Sequence, residues 1–523
     1  MRAPEPSAPP KRSFRFPGAV TTLAIVTVLV WVATLFIPAG SYQTEPDGSP
    51  IPGTFVQVGS PLSFEEKLQQ LVLAPINGIY GLRNADNRFV DTETAGRVFG
   101  QIGIIVFIMS IGAFISVSFA TRSLEVAVAA LAHRLRDKGW LLIASVMVLF
   151  SLLGSTMGFS VETLGFYALF IPLMSALGYD RLVTASMLIL GALTGVMAST
   201  VNPFSIGVAA GEAGLSIGEG IGLRGVLWVV LTGMSIGWVL RYAARVRRDP
   251  AASLVGRDDD ADADAAPSPA DATAAQSATP VRLTRAQKWV LVITAFAFGL
   301  MIFSVIPWSS VLGGSTAPAD DYFTHEVAGA QPFWFELNWW FPQLAMLFVL
   351  ASVLVGIVAG MGEKETVRLI AAGASDMMGP ALVVMLAGGV SVIMNNTQTL
   401  DTILYSMERL VSGASAGIFV FLTVLINIPL AALIPSSSGH GALAMPLLAP
   451  LADFAQVSRA STITAWIMGH GLALMLAPTS VVLVGGLAIA KVGYNTYLRF
   501  VWPLLLALFI VSTLMIGAAE TFQ

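Results

Sequence analysis

Four short stretches decide the fold: Leu153-Gly-Ser-Thr-Met-Gly-Phe-Ser-Val-Glu-Thr163, Ser199-Thr-Val-Asn-Pro-Phe-Ser205, Ile434-Pro-Ser-Ser-Ser-Gly-His-Gly441 and Leu476-Ala-Pro-Thr-Ser480. Each interrupts a long apolar block with glycine, proline and small hydroxyl residues. Irregular backbone at membrane depth survives only inside protein or beside a cavity, because every N–H and C=O needs a partner there. The first and third stretches suit the tips of helical hairpins. In the second and fourth, a proline removes an N–H and frees carbonyls within a span.

The surrounding chain makes a membrane setting necessary. Of 523 residues, 55% are hydrophobic and 11% charged, where a soluble domain carries about 25% charged. Gly18 to Pro38 holds no ionisable side chain and has about the ~20 residues that cross a ~30 Å hydrocarbon core. The apolar run is too long for a cleaved signal peptide, which predicts a retained first helix. Cysteine is absent, which removes disulfides and thiolate chemistry. No Gly-Lys pair of a Walker A loop and no His-Glu-x-x-His occurs, and the net charge of −4 argues against a nucleic-acid partner.

The halves repeat. Thr121-Arg-Ser-Leu-Glu125 matches Thr397-Gln-Thr-Leu-Asp401, Ile171-Pro-Leu173 matches Met445-Pro-Leu447, and Asn202-Pro203 matches Ala477-Pro478. The expected organisation is a tail (1–17), a first membrane repeat (18–243), a disordered Asp-rich linker (244–287), an extra transmembrane helix (288–308), an extracytoplasmic loop (309–337) and a second repeat (338–518). The extra helix turns the second repeat over, so the copies are inverted, as in many secondary transporters. Basic residues such as Arg241, Arg245, Arg285 and Lys288 flank the linker, while 309–338 carries no Lys or Arg. The positive-inside rule then puts the N-terminus and linker in the cytoplasm of a cell (inner) membrane protein. Segments near 124–138 and 363–377 read as interfacial helices, and 41–98 as a hydrophilic loop.

Paired tips facing paired broken helices make a midplane site. Half-helix N-termini suit a carboxylate, and freed carbonyls with hydroxyls suit a hard cation such as Na⁺ at roughly 2.3–2.6 Å. Candidate solute-binding residues are Ser155, Thr156, Ser160, Glu162, Asn202, Ser436, Ser437, Ser438, His440, His470 and Thr479. Candidate Na⁺ ligands are Ser199, Thr200, Asn202, Ser436, Thr479 and Ser480. Glu162 stands out, since an ionised carboxylate at the bilayer centre costs roughly 2.5–3.5 kcal/mol; it faces a cavity, binds a cation or is protonated, or it is a structural acid at a hairpin end. The histidines either change charge near neutral pH or serve as neutral hydrogen-bond donors. Asn395 and Asn396 cap their helix or line the site.

Gly158-Phe-Ser-Val-Glu-Thr-Leu-Gly-Phe-Tyr-Ala-Leu-Phe-Ile-Pro172, Leu177-Gly-Tyr-Asp180, Val201-Asn-Pro-Phe-Ser-Ile-Gly-Val208 and Ile434-Pro-Ser-Ser-Ser-Gly-His-Gly441 resemble the YfcC branch of the anaerobic C4-dicarboxylate carrier family. The resemblance covers about 18–243 and 288–518. It implies membership of the ion transporter superfamily: a homodimer in which a scaffold holds still while two hairpins and two broken helices move as an elevator. It implies tips at Gly154 to Glu162 and Pro435 to His440, and unwound segments at Ser199 to Ser205 and Pro478 to Ser480. The superfamily's Ser-Asn-Thr tip signature is replaced by Ser-Thr-Val-Asn and Ser-Ser-Ser. No Lys or Arg stands near the four breaks in sequence, so helix dipoles, hydroxyls and bound cations are left to neutralise a dicarboxylate. Some relatives are described as basic amino-acid antiporters, which Glu162 would suit.

The expected protein is an all-α polytopic transporter, not an enzyme, with no cofactor beyond bound Na⁺. It carries a small carboxylate-bearing solute, such as a C4-dicarboxylate or an amino acid, with Na⁺ or H⁺. An arginine/ornithine-type antiporter, an intramembrane acyltransferase using His440 or His470, and a channel remain as alternatives.

Overall fold

The computed structural model describes residues 19–43, 50–80, 102–135, 137–255, 282–308, 333–337, 339–411 and 415–521. The tail and most of the linker and of the 309–337 loop lie outside these. The first half comprises α1 (Ala19–Ala33), α2 (Phe64–Tyr80), α3 (Ile102–Ala120), α4 (Ser123–Arg134), α5 (Gly139–Met157), α6 (Tyr167–Ala176), α7 (Arg181–Met197), α8 (Val208–Ala213) and α9 (Ile221–Arg248). Then α10 (Arg285–Val305) leads to α11 (Phe341–Val358), α12 (Glu363–Asp376), α13 (Met378–Asn396), α14 (Thr399–Val411), α15 (Ala416–Leu433), α16 (Ser437–Phe454), α17 (Arg459–Leu476), α18 (Val481–Ile489) and α19 (Tyr494–Thr521). A two-residue antiparallel ladder pairs Gly40–Ser41 with Val56–Gln57. Among the described residues, nine spans are long and apolar enough to cross a membrane, the broken Arg459–Ile489 counting as one.

The duplication is written into the backbone. Arg122 and Gln398, 276 positions apart, both adopt left-handed conformations (φ 54° and 53°) at the elbow before α4 and α14. Such a conformation costs an L-residue roughly 1–2 kcal/mol. Flanking threonines secure both elbows: Thr121 Oγ1 bonds the Ser118 carbonyl and Ser123 Oγ, and Thr397 Oγ1 bonds the Ile393 carbonyl and Thr399 Oγ1. Gly178 and Gln456 close α6 and α16 in the same way, and Gly214 and Lys491 close α8 and α18. The next helix is then capped, by Asp180 at the Val183 N–H and by Ser458 at the Ser461 N–H.

The copies interlock. The second repeat opens with α11 and α12, which pack on α3 of the first, while α1 and α2 pack on α13 of the second. The helix α2 falls where sequence alone reads a loop, because its apolar side chains Phe64, Leu68, Val72 and Ile76 are exposed rather than turned to a core. Its counterpart α12 falls where the sequence predicts a second interfacial helix.

Within each repeat a hairpin precedes a broken helix. Met147 lies against Gly191 and Ser151 against Gly195, so α5 and α7 run parallel, as a returning arm through α6 requires. Val424 lies against Gly469, and Ala432 is bonded by Thr479, so α15 and α17 do the same. The two broken helices cross head to tail. Ile189 meets Gly486, Met197 meets Gly471, and Arg459 bonds the Ala213 carbonyl. The contacts run in opposite directions along the two helices, so the two repeats are inverted relative to each other. Every residue of α7 after Arg181 is buried, and α17 nearly matches it, so the crossing is the centre of the molecule. Exposed apolar side chains such as Leu29, Val229, Phe296, Leu350, Ile426 and Leu514 lie on outer helices, where lipid satisfies them.

The last turn of α9 passes position 243 to Arg248, and Ser253 beyond it donates to Asp180. The linker thus begins docked on the turn that caps α7.

Candidate functional site

At the first break α7 ends at Met197 and Asn202 restarts the chain. Its Oδ1 accepts the Phe204 N–H (3.0 Å) and its Nδ2 donates to Ser199 Oγ (3.2 Å). A π-turn, Pro203–Gly207, then leads into α8. Ser199 Oγ donates to the Val196 carbonyl and accepts from Ser205. The first tip clasps this segment: Ser155 Oγ donates to the Ala198 carbonyl (2.9 Å) and accepts the Thr200 N–H (3.0 Å). Gly158, at φ 72°, ends α5 beside Asn202, where a Cβ would lie 3.0 Å from Oδ1.

The second break uses the same plan. Leu476 ends α17, and Ser480 Oγ caps α18 by accepting the Leu483 N–H. Thr479 Oγ1 donates to the Ala432 carbonyl at 2.8 Å, as Thr200 reaches the Ser155 carbonyl in the first copy. At the second tip Ser436 caps α16 through the Gly439 N–H and bonds Ser438 Oγ. Ser437 Oγ donates to the Phe204 carbonyl at 3.4 Å, so the second tip touches the first break. The first tip's return segment reaches α18, with Leu164 against Gly485. The four interrupted segments therefore meet.

Two expected site residues serve their own segments. Thr156 Oγ1 bonds back to the Leu152 carbonyl, and the Ser160 carbonyl accepts from Thr163. Glu162 is exposed, and its carboxylate accepts the Ser160 N–H at 2.9 Å. Asn396 donates to Gln70, and Asn395 to the Ser391 carbonyl. Among the described residues no cluster of three or more His, Asp or Glu could hold a metal ion.

A residue outside the motifs completes the first break. Arg224, in the first turn of α9 and 1% exposed, donates from Nε to the Thr200 carbonyl (2.9 Å) and from a terminal nitrogen to the Ile217 carbonyl (2.7 Å). Thr200 loses its helical donor because the Phe204 N–H is taken by Asn202, and the guanidinium replaces it. A cation thus does stand at a break, although none is near in sequence. The only sequence signal was an arginine four residues into an apolar span. In the second copy, Tyr494 at the start of α19 donates its hydroxyl to the freed Leu476 carbonyl.

His440 and His470, on α16 and α17, are both buried and face each other through Nδ1 atoms 3.0 Å apart. They share a cluster with Trp466, whose ring lies 5.5 Å from one and 5.8 Å from the other.

An inverted pair of broken helices met by two hairpin tips defines a polytopic membrane transporter. The model of the C4-dicarboxylate anaerobic carrier family matches residues 16–520, and the chain belongs to that family. It is similar to YfcC of Escherichia coli (strain K12), whose name proposes a basic amino acid antiporter: 27% identity over 98% of this chain and 97% of that one. A Haemophilus influenzae protein of unassigned function is 28% identical, covering 97% of each. Among solved structures, the YdaH transporter of Alcanivorax borkumensis, of unusual topology, superposes with a TM-score of 0.67 at 15% identity, over 97% of this chain and 99% of that one. Neisseria gonorrhoeae MtrF, from a class of antimetabolite efflux pumps, gives 0.61 at 15%, over 96% and 94%. The acyltransferase alternative falls away: the protein is a transporter, not an enzyme.

Proposed function

We propose that the protein is a secondary active transporter of a small carboxylate-bearing solute, a C4-dicarboxylate or an amino acid, coupled to Na⁺ or H⁺. The observation that carries this reading is the meeting of two tips and two breaks around the crossing of α7 and α17. Three half-helices begin there, at Pro203, Ser437 and Val481, and helix N-termini carry roughly +0.5 charge. Arg224 adds a fixed positive charge that holds the first break. Together they favour an anionic group. The hydroxyls of Ser155, Ser199, Thr200, Asn202's amide, and Ser436, Ser437, Ser438, Thr479 and Ser480 supply polar contacts for carboxylate or Na⁺, with His440 and His470 beside the second tip.

The two hairpins and two broken helices form the transport unit, and α1, α2, α11 and α12, packed on the outside of α13 and α3, belong to the scaffold of a homodimer. Movement of the unit past the scaffold gives elevator-type alternating access. The end of the bundle bearing Lys138, Arg181, Arg241, Arg245 and Lys491 faces the cytoplasm, in keeping with the positive-inside rule.

A basic amino-acid antiporter is the second reading. The proposed activity of the YfcC relative favours it, and exposed Glu162 offers an ammonium partner at the tip.

The test is uptake of labelled succinate, aspartate and arginine into proteoliposomes under imposed Na⁺ or pH gradients. Gradient-dependent uptake of one of them, abolished by Asn202→Ala, is expected. Transport unchanged in Asn202→Ala and Glu162→Ala would remove the proposed site, and flux of all three without any gradient dependence would point to a channel.

A further inference from the structure

The helix α10 turns outward a stripe whose chemistry changes along its length. Arg285 and Lys288 stand exposed in its first turn, and Trp289 follows at 52% exposed. Val292 and Phe296 continue the same face at 53% and 66%. Spacings of three and four residues set these side chains one above another. The opposite face, with Val290, Ala297, Phe298 and Met301, is buried. Cation, indole, then apolar side chains is the order in which a phospholipid offers phosphate, interface and acyl chain, and tryptophan favours the interfacial level.

The charged end of the stripe is fixed in place. Thr284 Oγ1 caps α10 by accepting the Gln287 N–H, and Gln287 Oε1 accepts the Thr284 N–H in return. Gln287 Nε2 then donates to the Thr121 carbonyl at 3.3 Å, which pins the start of α10 to the elbow between α3 and α4. Arg282, Arg285 and Lys288 are exposed there, and among the described residues none has a carboxylate partner. Neither α10 nor the α3 and α11 packed on it carries an Asp or Glu. Glu125 of α4 is already bonded to Arg122 at 2.8 Å. Three cations therefore stand at the membrane surface with no described acid to balance them. We propose that the stripe binds an anionic phospholipid, with its phosphate on Arg282, Arg285 and Lys288 and an acyl chain along Trp289, Val292 and Phe296. Basic surfaces beside transmembrane helices recognise anionic headgroups through this charge complementarity. The site lies on the elbow from which α4 leads toward the first hairpin, and it does not depend on which solute or ion the protein carries.

The test uses the whole chain, which has no cysteine of its own. Ala295→Cys, exposed beside the stripe, carries a fluorophore, and the labelled protein is placed in phosphatidylcholine vesicles. A minor lipid component, either phosphatidylglycerol or phosphatidylcholine, has brominated acyl chains that quench on contact. Ile426→Cys, exposed on α15, a helix without any charged residue, is the reference. The expected result is stronger quenching by brominated phosphatidylglycerol at the Ala295 site and equal quenching by the two lipids at the Ile426 site. A cation near an anionic surface is worth roughly fivefold in binding, so Arg285→Gln with Lys288→Gln should remove most of the preference. Added salt should weaken it with the native cations in place, which decides the matter even where the double variant fails to fold. Equal quenching by both lipids at the Ala295 site, or a preference that salt and the double variant leave unchanged, overturns the proposal. Quenching there by neither lipid also overturns it, and would mean that a second copy of the chain covers the stripe. A preference that emerges only when Asp258, Asp259, Asp260, Asp262 and Asp264 are replaced by Asn overturns it too, because the chain's own acidic segment would then be the occupant.

Discussion

At the first break a guanidinium holds the freed carbonyl, and at the second a phenol does. Arg224 and Tyr494 both stand in the first turn of the helix that follows the broken helix, α9 and α19, and each donates to a carbonyl whose helical partner has gone. The backbone task was duplicated and the side-chain solution was not. The first break is locked from all sides by Asn202, Ser155, Ser199, Ser205 and Arg224. The second leans on one threonine, one serine cap and one tyrosine, with a histidine pair nearby. A duplicated frame constrains where polarity must be supplied, and leaves each copy free to use a charge or a hydroxyl.

The largest expected difference between the copies comes from the donors. Arg224→Ala strands the Thr200 and Ile217 carbonyls, and hydrogen bonds to charged groups are worth about 1.5–3 kcal/mol each, so a loss of about 3 kcal/mol or more is expected in the unfolding free energy in detergent. Tyr494→Phe, its counterpart, removes one neutral bond and should cost about 1 kcal/mol. Equal losses would mean that the asymmetry does not bear on stability.

Next comes the crossing itself. A Cβ on Gly471 would sit 2.5 Å from Met197 Cα, so Gly471→Ala forces the two broken helices apart and should cost about 2 kcal/mol. Gly225→Ala on α9 meets nothing within 4 Å and should not destabilise. If Gly471→Ala unfolds like wild type, the crossing is looser than these distances imply. Asn202→Ala removes a cap and should cost about 1 kcal/mol while abolishing solute flux. The smallest effect belongs to Thr479→Val, which deletes one bond to the Ala432 carbonyl and should cost slightly under 1 kcal/mol, with flux reduced rather than lost.

How much of this was legible follows from where each signal sits. Interruptions such as Ser199 to Ser205 and Pro435 to Gly441 mark their own positions, because proline, glycine and serine act on local backbone. The repeat was legible at Thr121 and Thr397 for the same reason: each hydroxyl bonds a carbonyl three or four residues back. Arg224 was not, since its target Thr200 lies 24 residues back in the break after α7, and its role exists only after α9 folds back along α7. The histidine contact likewise needs α16 against α17. Thr156, an expected site hydroxyl, donates to a carbonyl of its own helix, and α2 reads as a loop because its apolar face turns outward. Sequence located the breaks; only packing distributed the labour among them.

Everything depends on the two copies being inverted across the membrane, and a chain without cysteine allows that to be measured directly. Lys138 and Ser415 are exposed and hold matching places before α5 and α15. Single cysteines introduced there, probed in whole cells with a membrane-impermeant maleimide before and after permeabilisation, should give opposite answers. Ser415→Cys is expected to label from outside, and Lys138→Cys only after the cytoplasm is opened. Labelling of both from the same side would contradict the inversion and the site built upon it.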